Sequence, residues 1–278
     1  TDYPARHRII NADDAFGREL IQRQLPGTIS YGLYEGAVRG TVRQMRPDGM
    51  HLNIDYAGQK VEVNTPLIGR FNASNLLAVA AALVADGVEL SRAGAVLATL
   101  VAAPGRMQNV AVDGNAGPRV YVDYAHTPDA LAKALETVRE TRPAAMAVVF
   151  GCGGNRDRSK RPQMGRIAAD RADRVYVTSD NPRNEDPGAI VADILDGIPT
   201  PARARTVAVV DRSDAIQRAI ASAAVGDAIL IAGKGHEDYQ EVAGVRSPFS
   251  DVQHARTALL AWRGTGQYDK ARGDHVGG

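Results

Sequence analysis

AMAVVFGCGGNRDRSKRPQMGRIAADRADRVYVTS, residues 145–179, decides the fold. Two short apolar runs rich in Val, 145–150 and 174–179, flank a stretch that reads as a helix over 161–172. Strands joined through a helix lie parallel, because a parallel pair needs a crossover of a dozen or more residues. The same alternation extends outward in both directions. VYVDYA (120–125), RTVAVV (205–210) and DAILIAG (227–233) read as further strands, with helical patterns at 128–140, 187–197, 213–224 and 251–263. From about residue 113 the chain therefore reads as a doubly wound, mostly parallel sheet with helices on its faces. The polar, Gly-rich stretch 265–278 is expected to be a disordered tail.

The first hundred residues follow another pattern. GAVRGTVRQM (36–45), MHLNIDYA (50–57) and QKVEVN (59–64) are alternating runs separated by turn residues, as in an antiparallel meander. Ala/Leu-rich helical patterns follow at 72–86 and 91–100, and Pro104-Gly105 breaks them, which places a hinge at 104–118. The expected domains are thus 1–105, mixed β with helices, and 106–264, doubly wound. RIINADD (8–14) reads as a strand entering a loop with nothing before it to pair with, so part of the first domain is expected upstream of residue 1.

Composition narrows the function. With 33 basic and 32 acidic residues the formal charge is +1, and neither sign forms long blocks, which argues against a nucleic-acid or membrane-surface binder. The apolar runs fall far short of the roughly 20 residues of a membrane span. A single cysteine, Cys152, excludes an internal disulfide and suits a reducing cytosol. No CxxC or HExxH spacing marks a metal site.

In an open parallel sheet, ligands bind beyond the carboxyl ends of the strands. Four polar stretches fall on that rim: DYAHTPDAL (123–131), GCGGNRDRSKRP (151–162), DNPRNEDP (180–187) and GKGHEDYQ (233–240). Thr127 and Pro128 account for a helix start. Asp123 and His126 are then left either for a ribose hydroxyl or phosphate, or for nearby backbone groups. Gly151, Gly153 and Gly154 admit close approach, and the cations Arg156, Arg158, Lys160 and Arg161 suggest a multiply anionic ligand. Asp180, Asn181 and Arg183 set an acceptor, an amide and a guanidinium fork around Pro182. Gly233 frees the backbone, and Glu237 is a candidate acceptor for an ammonium group. Cys152 reads as a small buried residue without a triad partner. In the first domain Asn72 reads as a cap, while Asn75, a turn further in, is a candidate reader of an adenine edge. Arg106, in PGRMQ, is a candidate for phosphates or for a structural salt bridge.

Taken in order, FNASN, PGRMQ, DYAHTPDAL, FGCGGNRDRSKRPQMG, TSDNPRNEDP and AGKGHEDYQ resemble the Mur ligases, and within them the UDP-N-acetylmuramoyl-tripeptide synthetase (MurE) type, over about residues 8–262. The resemblance implies a Rossmann-like C-terminal domain and an ATP- and Mg²⁺-dependent ligase of the cytoplasm, a monomer acting in peptidoglycan synthesis. Such a ligase adds a diamino acid to UDP-MurNAc-L-Ala-D-Glu: ATP phosphorylates the carboxylate and the amine attacks the acyl phosphate. By the same resemblance Asn75 contacts adenine, Asp123 the ribose, and Arg106 and His126 act on the nucleotide side of an interdomain cleft. Arg156, Asp180, Asn181, Pro182, Arg183, Gly233 and Glu237 form the amino-acid pocket, with DNPR the form associated with meso-diaminopimelate. Arg183 suits the extra carboxylate of that substrate, since a guanidinium grips a carboxylate with two parallel hydrogen bonds. Asn155, Ser159 and Gln108 stand where the family commonly has Asp, Gly and Glu. The family's uridine-nucleotide domain, GTNGKT-type phosphate loop and modified lysine for magnesium have no counterpart in residues 1–278. The chain thus reads as the end of the central ATPase domain plus the C-terminal domain, expected to be inactive in ligation alone. A folylpolyglutamate-synthetase-like ligase and a non-enzymatic nucleotide- or amino-acid-binding module are the alternatives.

Overall fold

The computed structural model describes residues 6–112 and 117–262, which form two compact units meeting in sequence between Val101 and Ala102. The expected tail at 265–278 lies outside the described residues, as do residues 113–116 of the expected hinge.

The first unit is built on a five-stranded sheet of order β1-β2-β3-β4-β5. Its elements are β1 (Arg8–Asn11), α1 (Ala15–Gln22), β2 (Thr28–Gly32), β3 (Val38–Arg46), β4 (Gly49–Tyr56), β5 (Gln59–Thr65), α2 (Arg70–Ala85) and α3 (Leu90–Leu97). The alternating runs form the antiparallel meander β3-β4-β5, burying Val38, Leu52, Ile54 and Val63. Period-two alternation buries one face of such strands, and α2 and α3 supply Leu76, Leu77, Leu90 and Leu97 to the core. Strand β1 has a partner that sequence reading missed: it pairs in parallel with β2, which lies downstream across α1. Asn72 is not the helix cap. Gly69, at φ 95°, takes that place, and the Asn72 side chain donates back to the Ile68 carbonyl at 2.8 Å.

The second unit carries β6 (Gln108–Val110), β7 (Arg119–Asp123), α4 (Pro128–Glu140), β8 (Met146–Phe150), α5 (Lys160–Arg171) and β9 (Arg174–Val177). It continues with α6 (Pro187–Leu195), α7 (Thr200–Arg203), β10 (Thr206–Ala208), α8 (Arg212–Ala221), β11 (Ala228–Ala232), β12 (Tyr239–Val242), β13 (Val245–Pro248) and α9 (Asp251–Ala261). The sheet order is β10-β9-β8-β11-β7-β6, parallel throughout except for β6, which is antiparallel to β7. Every residue of β8 and β11 is buried, as expected of central strands covered on both faces. Helix starts are chemically marked. Thr127, Asp186, Asp211 and Ser250 each accept an N–H three residues on, and Pro128 and Pro187 fit the first turn, where no intrahelical partner is lost.

Four strands of this sheet end before the expected run does: β7 at Asp123, β9 at Val177, β10 at Ala208 and β11 at Ala232. The residues so released, among them Tyr124, Ser179 and Gly233, belong to loops rather than to the ladder. Sequence reading also missed β6, the single turn of α7 and the β12-β13 hairpin. The hairpin turns on Ala243 and Gly244, at φ 49° and 76°, a two-residue connection with positive φ at both positions. Among the described residues no helix is long and apolar enough to cross a membrane.

Candidate functional site

The rim loops of the second unit enclose a cleft of about 510 Å³. Its wall takes His126 and Thr127 from the loop after β7, Gly151, Gly153, Arg156 and Lys160 from the loop after β8, Asp180, Asn181 and Arg183 from the loop after β9, and Gly233 and Glu237 from the loop after β11. Of the residues given a role by the family resemblance, Pro182, Asp123, Arg106 and Asn75 do not line it.

Two glycines let the loops meet. A Cβ on Gly154 would stand 1.9 Å from the Pro182 carbonyl oxygen, so only glycine allows its N–H to reach the Asn181 carbonyl at 2.8 Å. Gly233 sits at φ 119°, and a Cβ there would come within 2.5 Å of Asp180 Oδ2. Both positions require glycine for close backbone approach, the second also for its dihedral.

Arg183 is held in an unusual backbone state, φ 53° in a non-glycine residue. The hairpin imposes it: the Arg183 N–H donates to the Glu241 carbonyl at 3.0 Å, and its carbonyl accepts from the Ala243 N–H at 2.6 Å. Keeping an arginine where glycine would relieve strain argues for a needed side chain. One guanidinium nitrogen, Nη1, donates to the Gly154 carbonyl at 2.9 Å, which anchors the fork while leaving donors for a ligand.

The acidic side of the cleft is equally fixed. The Asn181 amide oxygen accepts from Lys234 Nζ at 3.1 Å and from the Glu241 N–H at 3.0 Å, which turns its amide nitrogen toward Glu237 Oε2 at 2.8 Å. Lys234, fully buried, also pairs with that carboxylate at 3.3 Å. Glu237 is thereby oriented yet remains partly open to the cleft. The cleft thus presents a guanidinium and carboxylates on the loops after β9 and β11, complementary to a small molecule carrying both a carboxylate and an ammonium group.

The basic run after β8 divides. Arg161 is fully buried and bonds Glu185 at 2.9 Å and Asp193 at 2.8 Å, and Arg158 pairs with Asp193 at 3.0 Å. These two arginines brace the loops, which corrects the expectation of four cations gathered on a ligand. Lys160 donates to the His126 carbonyl at 2.8 Å, and Arg156, exposed on the cleft wall, makes no ion pair with any described residue. Cys152 is buried with its thiol 3.7 Å from Met164 Sδ, and burial pushes its pKa up to about 12, so it stays protonated near neutral pH.

Around the loop after β7, Asp123 Oδ2 accepts the Met107 N–H at 2.8 Å, and burial raises its pKa despite that bond and the nearby Arg106. The Arg106 guanidinium lies 4.8 Å over the Tyr124 ring, and His126 packs edge-on against the same ring with Nδ1 2.8 Å from the Tyr124 carbonyl. Asn75 belongs to the first unit, exposed in the second turn of α2. Lys234, Tyr239, Arg212 and Asp251 escaped sequence reading. Only Lys234 carried a signal, its place between two glycines of the GKGHE stretch.

Asp180 is the buried acid of the cleft. Burial lifts its carboxyl above the ordinary 3.8, outweighing the pull of Arg212 and Lys234. A carboxyl whose pKa is higher folded than unfolded binds protons preferentially in the folded state, so stability falls as pH rises from 3.8 through the folded pKa. Asp180→Asn should therefore melt above the parent at pH 8, the gap closing as pH is lowered and the parent carboxyl becomes neutral. Melting curves of both proteins across about pH 4 to 8 check this; a variant that melts lower at pH 8 would contradict it.

Comparison with known proteins follows the same division of the chain. A model described as Mur ligase middle domain matches residues 3–83, and one described as Mur ligase, glutamate ligase domain, matches residues 105–235. The chain is 51% identical over 262 residues to the UDP-N-acetylmuramoyl-L-alanyl-D-glutamate–2,6-diaminopimelate ligase of Chromobacterium violaceum, covering 92% of this chain and 52% of that protein. It is 47% identical over 263 residues to the ligase of the same name from Neisseria meningitidis serogroup B, with 92% and 52% covered. A solved structure of a ligase of that name superposes with a TM-score of 0.70 at 39% identity, over 91% of this chain and 53% of that one. The chain spans about half the length of the curated relatives it matches.

Proposed function

This chain belongs to the Mur ligase family, whose middle and glutamate-ligase domain models it matches, and from that premise we propose that its cleft receives meso-diaminopimelate for ATP-dependent ligation to UDP-MurNAc-L-Ala-D-Glu. One observation carries the reading: an arginine fork and oriented carboxylates face a single cleft at the carboxyl ends of the parallel strands.

Meso-diaminopimelate has an amino-acid head at each end. Arg183 receives the carboxylate of one head, with Arg156 adding long-range attraction, while Glu237 and Asp180 receive its ammonium group. Gripping one head leaves the other amine free to attack the acyl phosphate of the acceptor, with inorganic phosphate as leaving group. Holding the nucleophile in one orientation is the contribution of this unit. Lysine bound with its ε-amine end in this pocket and its α-amine as nucleophile forfeits the Arg183 contact, because that end carries no carboxylate.

On the nucleotide side, the loop after β7 offers Asp123 to ribose hydroxyls, and Arg106 and His126 to phosphate oxygens; Asn75, in the other unit, is proposed as the adenine contact. No group of three or more His, Cys, Asp or Glu suited to a metal occurs among the described residues. ATP and a UDP-linked precursor as substrates make the cytoplasm the proposed location, and a monomer is the proposed state.

Calorimetric titration of the chain with meso-diaminopimelate, cadaverine and pimelate tests the reading. Pimelate has both carboxylates and neither ammonium, and cadaverine has both ammonium groups and neither carboxylate. Meso-diaminopimelate should bind at least about tenfold tighter than either, because each analogue lacks one charge-assisted contact. Equal or tighter binding of cadaverine would contradict it.

A further inference from the structure

Beneath the cleft lies an ion pair that touches no ligand-facing surface. Arg212, the first residue of α8, and Asp251, the first residue of α9, are both fully buried and joined by two bonds of 2.7 Å, from Nε to Oδ1 and from Nη2 to Oδ2. Two further donors of Arg212 go to backbone carbonyls: Nη1 to Ser179 at 3.2 Å and Nη2 to Ala232 at 3.0 Å. Ser179 directly precedes Asp180, and Ala232 directly precedes Gly233. These carbonyls follow β9 and end β11, which are not neighbours, since β8 lies between them. One guanidinium therefore ties together the two loops that carry Arg183 and Glu237.

Fold stability does not explain this arrangement. A buried ion pair costs so much desolvation that well-packed apolar residues often serve as well or better. Its geometry serves the site instead. An amino-acid head bears its carboxylate and ammonium on one carbon, so a pocket for it needs a cation and an anion at one fixed, short separation. Here Arg183 and Glu237 stand on separate loops, and the hairpin and the Arg212 fork hold those loops in register.

We propose that Arg212, oriented by Asp251, is a positioning residue that sets the spacing between the Arg183 loop and the Glu237 loop and thereby the selection of an amino-acid head over a simple amine. The ligand named rests on the function proposed above; the tie between the loops does not.

The test uses two variants of the whole chain. Arg212→Lys keeps the charge and its pairing with Asp251, but an ammonium on one stem cannot span both carbonyls as the planar fork does. The double variant Arg212→Met with Asp251→Leu removes both charges together, leaving none buried alone. Both should keep cooperative melting, and both should raise the Kd for meso-diaminopimelate at least about tenfold, since small misplacements of binding groups cost up to about a hundredfold. The Kd for cadaverine, which carries two amines and no carboxylate, should change by less than about threefold, so the ratio of the two constants falls, which a general loss of structure would not produce. In ligand-free protein, amide hydrogen exchange should quicken in both 180–183 and 233–237 of the lysine variant while α4 is unchanged. Folded variants that bind meso-diaminopimelate within twofold of the parent, with exchange unaltered, would overturn the proposal, as would loss of folding in both. If the parent itself does not bind meso-diaminopimelate, the functional reading fails and the exchange data alone decide: coupled quickening upholds the tie, and exchange confined to one loop or absent overturns it.

Discussion

Arg183→Ala is expected to weaken binding of meso-diaminopimelate by about tenfold to a hundredfold while leaving the fold intact. The guanidinium is anchored through Nη1 on the Gly154 carbonyl, so its free donors face the cleft at a set angle. A charge-assisted hydrogen bond contributes roughly 1.5 to 3 kcal/mol, and each 1.4 kcal/mol is a factor of ten in Kd. Arg183→Lys should recover only part of the loss, because it keeps the charge without the fork. Cadaverine binding should hardly move, since that diamine has no carboxylate. A bracing role for Arg183 predicts a different outcome: a lower Tm with both ligands affected equally. Calorimetric Kd values and melting curves for the three proteins separate the two, and an equal fall for both ligands would sink the carboxylate grip.

The largest stability effect should come from breaking the buried pair on one side only. Arg212→Ala leaves Asp251 fully buried without its cation and releases the Ser179 and Ala232 carbonyls. Removing one partner of a buried pair costs about 3 to 5 kcal/mol. In a domain of this size that corresponds to a fall in Tm of very roughly 6 to 20 °C. The double variant with both charges replaced by apolar residues should regain most of the loss, because no charge is stranded. Thermal melts of the single and double variants check this. A single variant within about 1 kcal/mol of the parent, or a double variant no better than the single, would contradict it.

The doubly wound unit was legible because its central strands are continuous apolar runs and its helices open with Thr127-Pro128, Asp186-Pro187, Asp211 and Ser250. What stayed hidden was set by distant partners. Strand β1 gains its neighbour β2 only after α1 has crossed back, which no local pattern records. The hairpin turn uses Ala-Gly instead of the Asn-Gly that marks such turns. The rim location of the cleft followed from strand order and loop polarity, but the division of labour among its cations did not. Arg156, Arg158 and Arg161 look alike in sequence; Asp193 and Glu185, 24 to 35 residues on, determine that two of them brace the loops. Arg212 and Asp251 read as ordinary charged residues at helix starts, and only the folded chain shows both at zero exposure.

A crystal structure of the chain with meso-diaminopimelate tests the central claim most directly. The account predicts one carboxylate of the ligand paired with the Arg183 guanidinium, the ammonium of the same head on Glu237 or Asp180, and the second amine directed out of the cleft. A ligand bound elsewhere, or bound in the cleft with no carboxylate on Arg183, would contradict it.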